Sequence, residues 1–268
     1  MLRISQLYIY PIKSLGGIAI DTALVTDRGL QYDRRWLLID ENNIQLTQRE
    51  HPAMALLQPA ITPGGLVVTH RPTDTRLTIP FQPATSSFTE VRCWDDTVRA
   101  QFVDPAADSW FSDILKTDCR LVFMPEDAKR QTDLQYTPDG HITSFADAYP
   151  FLLIGEASLD ELNSRLDQSI PMNRFRPNIV FTGGTPFLED QLHEFTIAGI
   201  RFNGVKLCAR CVMTTIDQQT AQKGKEPLRT LARYRSQGNK ILFGQNLIHH
   251  DLGRLTIGDE LIPNNKVC

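Results

Sequence analysis

The sequence predicts a mostly β protein of the α+β class. Apolar, β-branched and aromatic residues come in short runs that are separated by turn residues, and strands at such close spacing are typical of barrels and sandwiches. Helix-start signals are few and begin only at Asp104. The chain has 268 residues, of which 41% are apolar and 22% are charged, so it is long enough to bury a core.

The first part of the chain is predicted to consist of strands and hairpins. Residues 7–10 form a strand-like run, which Pro11 ends or marks as an edge. Three pairs of apolar runs then flank clusters of turn residues, and each pair predicts a hairpin. The paired runs are 36–39 with 44–46, 66–68 with 77–79, and 91–94 with 98–102.

Helices and a second group of strands are predicted further along. Asp104-Pro105 is a good N-cap with proline at the first helical position, so a helix should extend to Lys116. Residues 158–161, SLDE, match a capping box and predict a second helix that begins there. A short helix is expected at 227–234. Strands are expected at 178–181, 195–197, 200–202, 241–243 and 255–257.

Composition excludes several classes of partner. The net charge of −3 gives no general reason to expect a nucleic acid polymer or an anionic membrane. The N-terminus lacks the apolar run of a signal peptide, and no stretch approaches the ~20 apolar residues of a membrane span. We therefore expect a cytoplasmic protein. Five cysteines, an odd number, argue against a disulfide scaffold, and the last of them, Cys268, is expected to be exposed.

The stretch VKLCARCVMTTID, residues 205–217, holds two thiols three residues apart. A structural zinc site needs four ligands, but no second cysteine pair at a suitable spacing is present. A redox dithiol needs its first cysteine at a helix N-terminus, whereas the β-branched run after Cys211 favours a strand. Neither zinc binding nor dithiol chemistry is therefore favoured.

Two interpretations of the pair remain open on these residues alone. Free cysteine is among the most buried residue types, so the pair could be packing residues of a β-hairpin. Lys206 and Arg210 lie beside the thiols, however, and cations favour the thiolate. A thiolate is a soft ligand for a redox-active transition metal. The residues support packing and metal ligation equally.

The stretch KLCARCVMTTID resembles the cysteine segment of the MOSC domain family, and is most similar to its two-domain branch of YcbX-like proteins and the mitochondrial amidoxime-reducing component. Members there usually have C-S-R-C-x-x-T-T-x-D, and this chain departs from the pattern at Ala209. Seven further segments resemble family motifs in the same order, from YPIKS at 10–14 through RFRPNIV at 174–180 to FGQNLI at 243–248. The resemblance covers nearly the whole chain.

The resemblance implies a fold and a site. It implies an N-terminal β-barrel-like domain, residues 1–125, followed by a MOSC β-barrel with flanking helices, residues 126–268, and the polar segment 125–140 would be the linker or a surface loop. A molybdenum cofactor of the molybdopterin type, of unspecified nucleotide form, would bind between them. Cys211 would be the catalytic residue and the molybdenum ligand. The implied cofactor-binding residues are Lys13, Ser14, Arg34, Ser144, Arg176, Asn178, Cys208, Arg210 and Asn246.

The implied activity is molybdenum-dependent reduction of N-hydroxylated compounds, such as hydroxylamines, amidoximes and N-hydroxylated bases. The sequence after the last MOSC strand has no cysteine cluster, so a separate reductase or an iron–sulfur or haem protein is expected to supply electrons. Two other functions are compatible with the sequence. One is a sulfur-carrier or cofactor-handling protein with a persulfide on Cys211, and the other is a binding module whose cysteines only pack.

Overall fold

A computed structural model describes residues 1–264 of the chain. These residues form a mostly β structure with a few short helices, as predicted. Residues 265–268, including Cys268, lie outside the described part. Within residues 1–264 no helix is long and apolar enough to cross a membrane.

The N-terminal part contains eleven strands and one α-helix. In chain order they are β1 (Leu2–Ile9), β2 (Ile18–Ile20), β3 (Thr22–Thr26), β4 (Gly29–Leu30), β5 (Trp36–Ile39), β6 (Leu57–Thr62), β7 (Gly65–His70), β8 (Thr75–Ile79), β9 (Phe88–Cys93), β10 (Asp96–Phe102), α1 (Pro105–Leu115) and β11 (Arg120–Phe123). A 3₁₀ helix covers Pro52–Leu56.

The remaining described residues contain ten strands and two α-helices. They are β12 (Arg130–Gln131), β13 (Ile142–Thr143), β14 (Phe151–Gly155), α2 (Glu156–Asn163), β15 (Ile179–Thr182), β16 (Glu194–Ile197), β17 (Ile200–Ala209), α3 (Leu228–Leu231), β18 (Ser236–Gln237), β19 (Lys240–His249), β20 (Gly253–Thr256) and β21 (Glu260–Pro263). Three 3₁₀ helices, Met172–Arg174, Leu188–Gln191 and Val212–Thr215, lie between them.

Seven strands close into a barrel. Around the ring they follow the order β14, β15, β1, β21, β16, β17 and β19, and β19 pairs again with β14. The pairing of β14 with β15 is parallel, and the other pairings in the ring are antiparallel. A closed ring leaves no unpaired edge. Large apolar side chains such as Phe151, Phe181, Phe195 and Phe202 form its core.

The first strand of the chain therefore belongs to a barrel whose other six strands all begin at residue 151 or later. β1 pairs with β15 and β21, and β2 pairs with β1. A further strand near the N-terminus, β3, pairs with β20. The boundary between residues 125 and 126 stays a prediction, but pairings across it tie the start of the chain to its end.

The rest of the N-terminal part forms two antiparallel sheets and a helix. One sheet has the order β5-β11-β10-β9, and the other has the order β6-β7-β8. Trp36, Phe111 and Leu121 lie in the core that joins them. The predicted helix after Asp104 is confirmed as α1, and Asp104 Oδ1 accepts a hydrogen bond of 2.8 Å from the N–H of Ala106. The predicted hairpins at 66–79 and 91–102 are confirmed as well.

Two local predictions were wrong. The helix expected to start at Ser158 is α2, which begins two residues earlier, at Glu156. Ser158 lies inside it, and its hydroxyl donates to Glu189 Oε2 at 2.7 Å. The strand expected after Cys211 is the 3₁₀ helix Val212–Thr215. Its threonine hydroxyls donate to the carbonyls of Cys211 and Val212, at 3.0 and 2.7 Å, and such local bonds compete with strand formation.

Candidate functional site

A crevice lies where the N-terminal sheets meet the barrel. Its wall is built by the loop after β1, the turn before β5, the loop 146–149, the segment before β15 and the end of β17. It encloses about 750 Å³ of space, counting its open mouth. Six cationic side chains and one carboxylate line it. They are Lys13, Arg34, Arg49, Arg174, Arg176, Arg210 and Asp147.

Nine of the ten residues implied by the sequence resemblance line this one crevice. They are Lys13, Ser14, Arg34, Arg176, Asn178, Cys208, Arg210, Cys211 and Asn246. The tenth, Ser144, is not brought to the wall. Arg130 binds the carbonyl of Ser144 at 3.1 Å, and the serine hydroxyl is buried without a hydrogen-bond partner among residues 1–264.

Three wall residues adopt a left-handed backbone that is unusual for residues other than glycine. Ser14, Arg34 and Arg176 have φ values of 68°, 51° and 56°. Such a conformation costs about 1 kcal/mol or more, and persists where neighbouring contacts fix it. Around Arg34 the N–H donates to Tyr10 O at 2.9 Å, and the carbonyl accepts from Phe145 N at 3.0 Å. Contacts of this kind hold the backbone of the crevice wall in place.

Arg34 and Arg176 both lie against the ring of Tyr10, at 4.5 and 4.2 Å from its centre. Arg34 also has a buried counter-charge, because its Nη1 lies 2.6 Å from Asp33 Oδ2. Burial acts to lower the pKa of Arg34, but the Asp33 carboxylate outweighs it and raises that pKa. Burial raises the pKa of the Tyr10 hydroxyl far above its ordinary range, so the ring is a neutral support for the two cations.

Arg176 is a buried cation without an ion-pair partner among residues 1–264. Only 7% of the residue is exposed. Its Nη1 donates to Leu15 O at 2.6 Å, but no carboxylate within residues 1–264 lies within ion-pair distance. Burial accordingly lowers the pKa of Arg176 to about 10. A buried cation is normally paired with an anion, so Arg176 favours an anionic ligand in the crevice.

Lys13 is held on the opposite part of the wall. Its Nζ donates to Phe145 O at 2.7 Å and to Asp147 Oδ1 at 2.6 Å. Loss of water around Asp147 acts to raise the pKa of its carboxyl, but Lys13, Arg34 and Arg49 together lower it well below its ordinary value. Asp147 is therefore ionised, and it balances only part of the positive charge.

The two cysteines have different surroundings. Cys208 lies in β17, and its Sγ accepts a hydrogen bond of 2.9 Å from Arg210 Nη1. Arg210 Nη2 in turn donates to Phe175 O at 2.5 Å. Cys211 is half-buried at the start of the 3₁₀ helix, and its Sγ makes no hydrogen bond within residues 1–264. Cys208 thus positions Arg210, whereas the thiol of Cys211 is available to a ligand.

Residues 1–264 offer a metal at Cys211 no ready set of further ligands. Across residues 1–264 no group of three or more His, Cys, Asp or Glu side chains is placed to hold a metal ion. A cofactor that brings its own sulfur ligands and its own negative charge fits this arrangement of one thiol and many cations.

The two asparagine side chains of the crevice, Asn178 and Asn246, differ in how many hydrogen bonds they already make. Asn178 Oδ1 accepts from Arg34 and from Leu152 N, and its Nδ2 donates to Tyr8 O, all at 3.3 Å. Asn178 therefore ties the strands together. Asn246 donates to Lys206 O at 3.0 Å, and its Oδ1 accepts nothing from the described residues.

Sequence reasoning missed four residues of the site. Arg174 binds Thr214 O at 3.2 Å and Asp217 at 3.3 Å, so it anchors the turn after Cys211. It lies in the RFRPN motif, which could have indicated it. Arg130 binds the carbonyls of Ser144 and Ala146 and so fixes the loop that carries Asp147. Arg130 and Arg49 lie in no pattern that would have identified them. Asp147 lies in the family-like segment SFADAYPFLL, 144–153, but the resemblance assigns it no role.

Comparisons with known proteins agree with this architecture. Residues 1–118 match the family described as "MOSC N-terminal beta barrel domain", and residues 140–262 match the family described as "MOSC domain". Mitochondrial amidoxime-reducing component 1 of Mus musculus is 33% identical over 275 residues, which are 96% of this chain and 80% of that protein. Mitochondrial amidoxime reducing component 2 of Bos taurus is 32% identical over 274 residues, 96% of this chain and 81% of that protein.

A second kind of relative is longer. Molybdenum cofactor sulfurase of Oryza sativa subsp. japonica is 31% identical over 295 residues, which are 99% of this chain but 36% of that protein. Relatives of both kinds cover almost the entire chain, and both domain families match in the expected order. The chain belongs to the MOSC domain family, with a MOSC N-terminal barrel domain ahead of the MOSC domain.

Proposed function

We propose that this protein is a molybdenum-dependent reductase of N-hydroxylated compounds and that it binds a molybdenum cofactor in the crevice. One observation carries the proposal. Six cations, including the buried and unpaired Arg176, surround a single cavity that also holds the unengaged thiol of Cys211. The names of the amidoxime-reducing relatives support the same class of reaction.

The chain offers suitable groups for each part of such a cofactor. Arg34 and Arg176 provide planar donors for a phosphate, and Lys13 provides a point charge. The Ser14 hydroxyl lines the same wall and makes no hydrogen bond within residues 1–264, so it can donate to the phosphate. Asn246 Oδ1 can accept from a pterin N–H.

The thiolate of Cys211 would be the protein ligand of the metal, and Cys208 would act through Arg210. The turn that follows Cys211 is fixed by Arg174. This fixed turn would hold the sulfur in one position, and pre-organised ligands tune the metal they bind.

When bound, the cofactor supplies two-electron redox chemistry at molybdenum. The overall change converts R–NH–OH, two electrons and two protons into R–NH₂ and water. The chain would bind and orient the substrate, and it would limit the access of water to the crevice. We propose that a separate electron-transfer protein, a reductase or an iron–sulfur or haem protein, delivers the electrons.

Protein made in a molybdenum-replete host tests the proposal. We expect about one molybdenum per chain, a fluorescent pterin after oxidation, and reduction of benzamidoxime by reduced viologen dye. Cys211→Ala should abolish the reaction, because it removes the metal ligand. Molybdenum-free protein, or a fully active Cys211→Ala variant, would contradict the proposal. NADH or NADPH should not drive turnover without an added partner.

A sulfur-carrier or cofactor-handling role is the second candidate, because the rice relative is named a molybdenum cofactor sulfurase and the Cys211 thiol is half-buried and unengaged. It requires sulfane sulfur on Cys211 of the isolated protein. Release of that sulfur by cyanide, together with no reduction of benzamidoxime, would favour this role over the reductase.

A further inference from the structure

A guanidinium group from the crevice wall, that of Arg49, lies stacked on the neighbouring aromatic ring of Trp94. The Arg49 guanidinium is 4.2 Å from the centre of the Trp94 ring. It makes no hydrogen bond or ion pair with any side chain or carbonyl of residues 1–264, and only the backbone oxygen of Arg49 is engaged, by Lys223 at 3.0 Å. The indole face is thus a platform for a planar, nitrogen-rich group.

A carboxylate stands beside this platform. Trp94 Nε1 donates to Asp147 Oδ1 at 3.2 Å, and Lys13 Nζ donates to the same oxygen at 2.6 Å. Asp147 Oδ2 accepts no hydrogen bond from residues 1–264, and 66% of the side chain is exposed. Asp147 is also the single carboxylate among the residues that line the crevice. Once an anionic cofactor satisfies the cations, Oδ2 is the acceptor left for a substrate.

The backbone at Trp94 supports a role beyond turning the chain. Trp94 has a φ of 58° in the turn between β9 and β10. A bulky residue is rare in this conformation, whereas glycine or asparagine adopts it at little cost. Strain of this kind clusters at binding sites. It places the indole against Asp147 and under Arg49.

We propose that Trp94 and Asp147 form the substrate subsite, and that Asp147 makes it prefer substrates with an amino group beside the N-hydroxyl group over substrates with a carbonyl oxygen there. This inference rests on the proposed reductase function. The planar group of an amidoxime stacks on the indole in place of the Arg49 guanidinium, and its amino group donates to Asp147 Oδ2. The reduced products are amidinium or guanidinium cations, which resemble the arginine that occupies the platform without substrate.

A binding experiment tests the subsite directly. Benzamidine, a planar cation, and benzamide, its neutral analogue, are titrated into molybdenum-loaded protein by calorimetry. We expect benzamidine to bind at least about tenfold more tightly, because a hydrogen bond to a charged acceptor is worth that much. Asp147→Asn should make the two affinities nearly equal. Asp95→Asn, which removes an exposed carboxylate from the turn that holds Trp94, should keep the difference.

The tryptophan is tested with two variants and a matched control. Trp94→Leu removes the platform and should weaken benzamidine binding by about tenfold. Trp94→Phe keeps a ring but loses the indole N–H, so an intermediate loss is expected. Trp110→Phe changes a tryptophan on α1 and should have no effect. Thermal unfolding and molybdenum content of each variant show whether it is folded and loaded.

Kinetics with two substrates separate the subsite from the reaction. In Asp147→Asn the KM of benzamidoxime should rise about tenfold, with a smaller change in kcat, and the KM of benzohydroxamic acid, whose product is neutral, should stay unchanged. Unchanged affinities and KM values in Asp147→Asn and both Trp94 variants would overturn the subsite while leaving the reductase intact. If the affinity for benzamidine depends on Trp94 and Asp147 but the protein has no reductase activity, the proposed reaction is refuted and the subsite stands.

Discussion

Arg176 and Arg34 lie against the same tyrosine ring but differ in counter-charge, so replacing each by methionine should change the stability of cofactor-free protein in opposite directions. For Arg176, burial lowers the pKa from 12.5 to about 10. At 1.36 kcal/mol per pH unit this is a cost of roughly 3 kcal/mol for keeping the charge in the folded state. The cost applies in full at pH 7, because this pH is below the pKa of Arg176 in both the unfolded and the folded state.

Methionine at position 176 removes that cost but also some favourable contacts. The hydrogen bond to Leu15 O and the contact with Tyr10 are each worth about 1 kcal/mol. The free energy of unfolding should therefore rise by about 1 kcal/mol. Arg34→Met instead leaves Asp33, whose side chain is 2% exposed, without its ion-pair partner. Removing one partner of a buried pair costs about 3 kcal/mol, so stability should fall by that amount.

Urea unfolding at pH 7, followed by fluorescence, measures both changes in protein from a host unable to make the pterin. Arg165→Met, an exposed arginine paired with Glu161, is the control and should change stability by less than about 0.5 kcal/mol. In a cofactor-producing host both Arg176→Met and Arg34→Met should lose most of the bound molybdenum. A marked loss of stability in Arg176→Met would show that this arginine supports the fold, and would refute the argument that it awaits an anion.

Three further changes have expected outcomes. By elemental analysis, Cys208→Ala should retain its molybdenum, because Cys208 only positions Arg210. The molybdenum content of Cys211→Ala should fall at least ~10-fold, because the metal ligand is removed. Burial lowers the pKa of His249 to about 4, and its Nε2 donates to Thr26 O at 2.6 Å. Its contribution of up to about 3 kcal/mol is complete above pH 6.5 and is lost as pH falls toward 4, so urea unfolding should show wild type losing more stability than His249→Gln between pH 7 and 4.5. Burial raises the pKa of Glu189 from 4.5 to about 7, so the stability contributed by its neutral form is complete below pH 4.5 and is lost as pH rises from 4.5 through 7. Glu189→Gln should be about 3 kcal/mol more stable than wild type at pH 8 and nearly equal to it at pH 4.

Local signals in the sequence predicted local structure well. Asp104-Pro105 specifies the start of α1 through one capping bond, and Ala198-Gly199 specifies the hairpin of β16 and β17. Where a distant partner decides the outcome, the sequence was misleading. Ser158 has the form of a helix cap, but its hydroxyl binds Glu189, 31 residues away. The threonines after Cys211 favour a strand by propensity, yet their hydroxyls close a 3₁₀ turn.

The residues of the candidate site also fall into those that the sequence could identify and those that it could not. Residues within family motifs, such as Lys13, Arg176 and Cys211, could be named from the sequence and line one crevice. The roles of Arg49, which lies outside these motifs, and of Asp147, which lies inside one, could not be named. Both depend on contacts with Trp94, across 45 and 53 residues of chain. Segment spacing cannot reveal such contacts, since they exist only once the sheets and the barrel have been brought together.

The position of β1 in the ring has a consequence for how this chain is made. On the ribosome β1 emerges first, but its neighbours β15 and β21 follow only after about 170 and 250 further residues. The ring therefore cannot close until β21 has been synthesised, and contacts of such long sequence separation form slowly. A fragment that starts at residue 126 would lack β1 and leave the edges of β15 and β21 open to other chains. The barrel therefore depends on a strand that the chain supplies from outside the MOSC-domain match at residues 140–262.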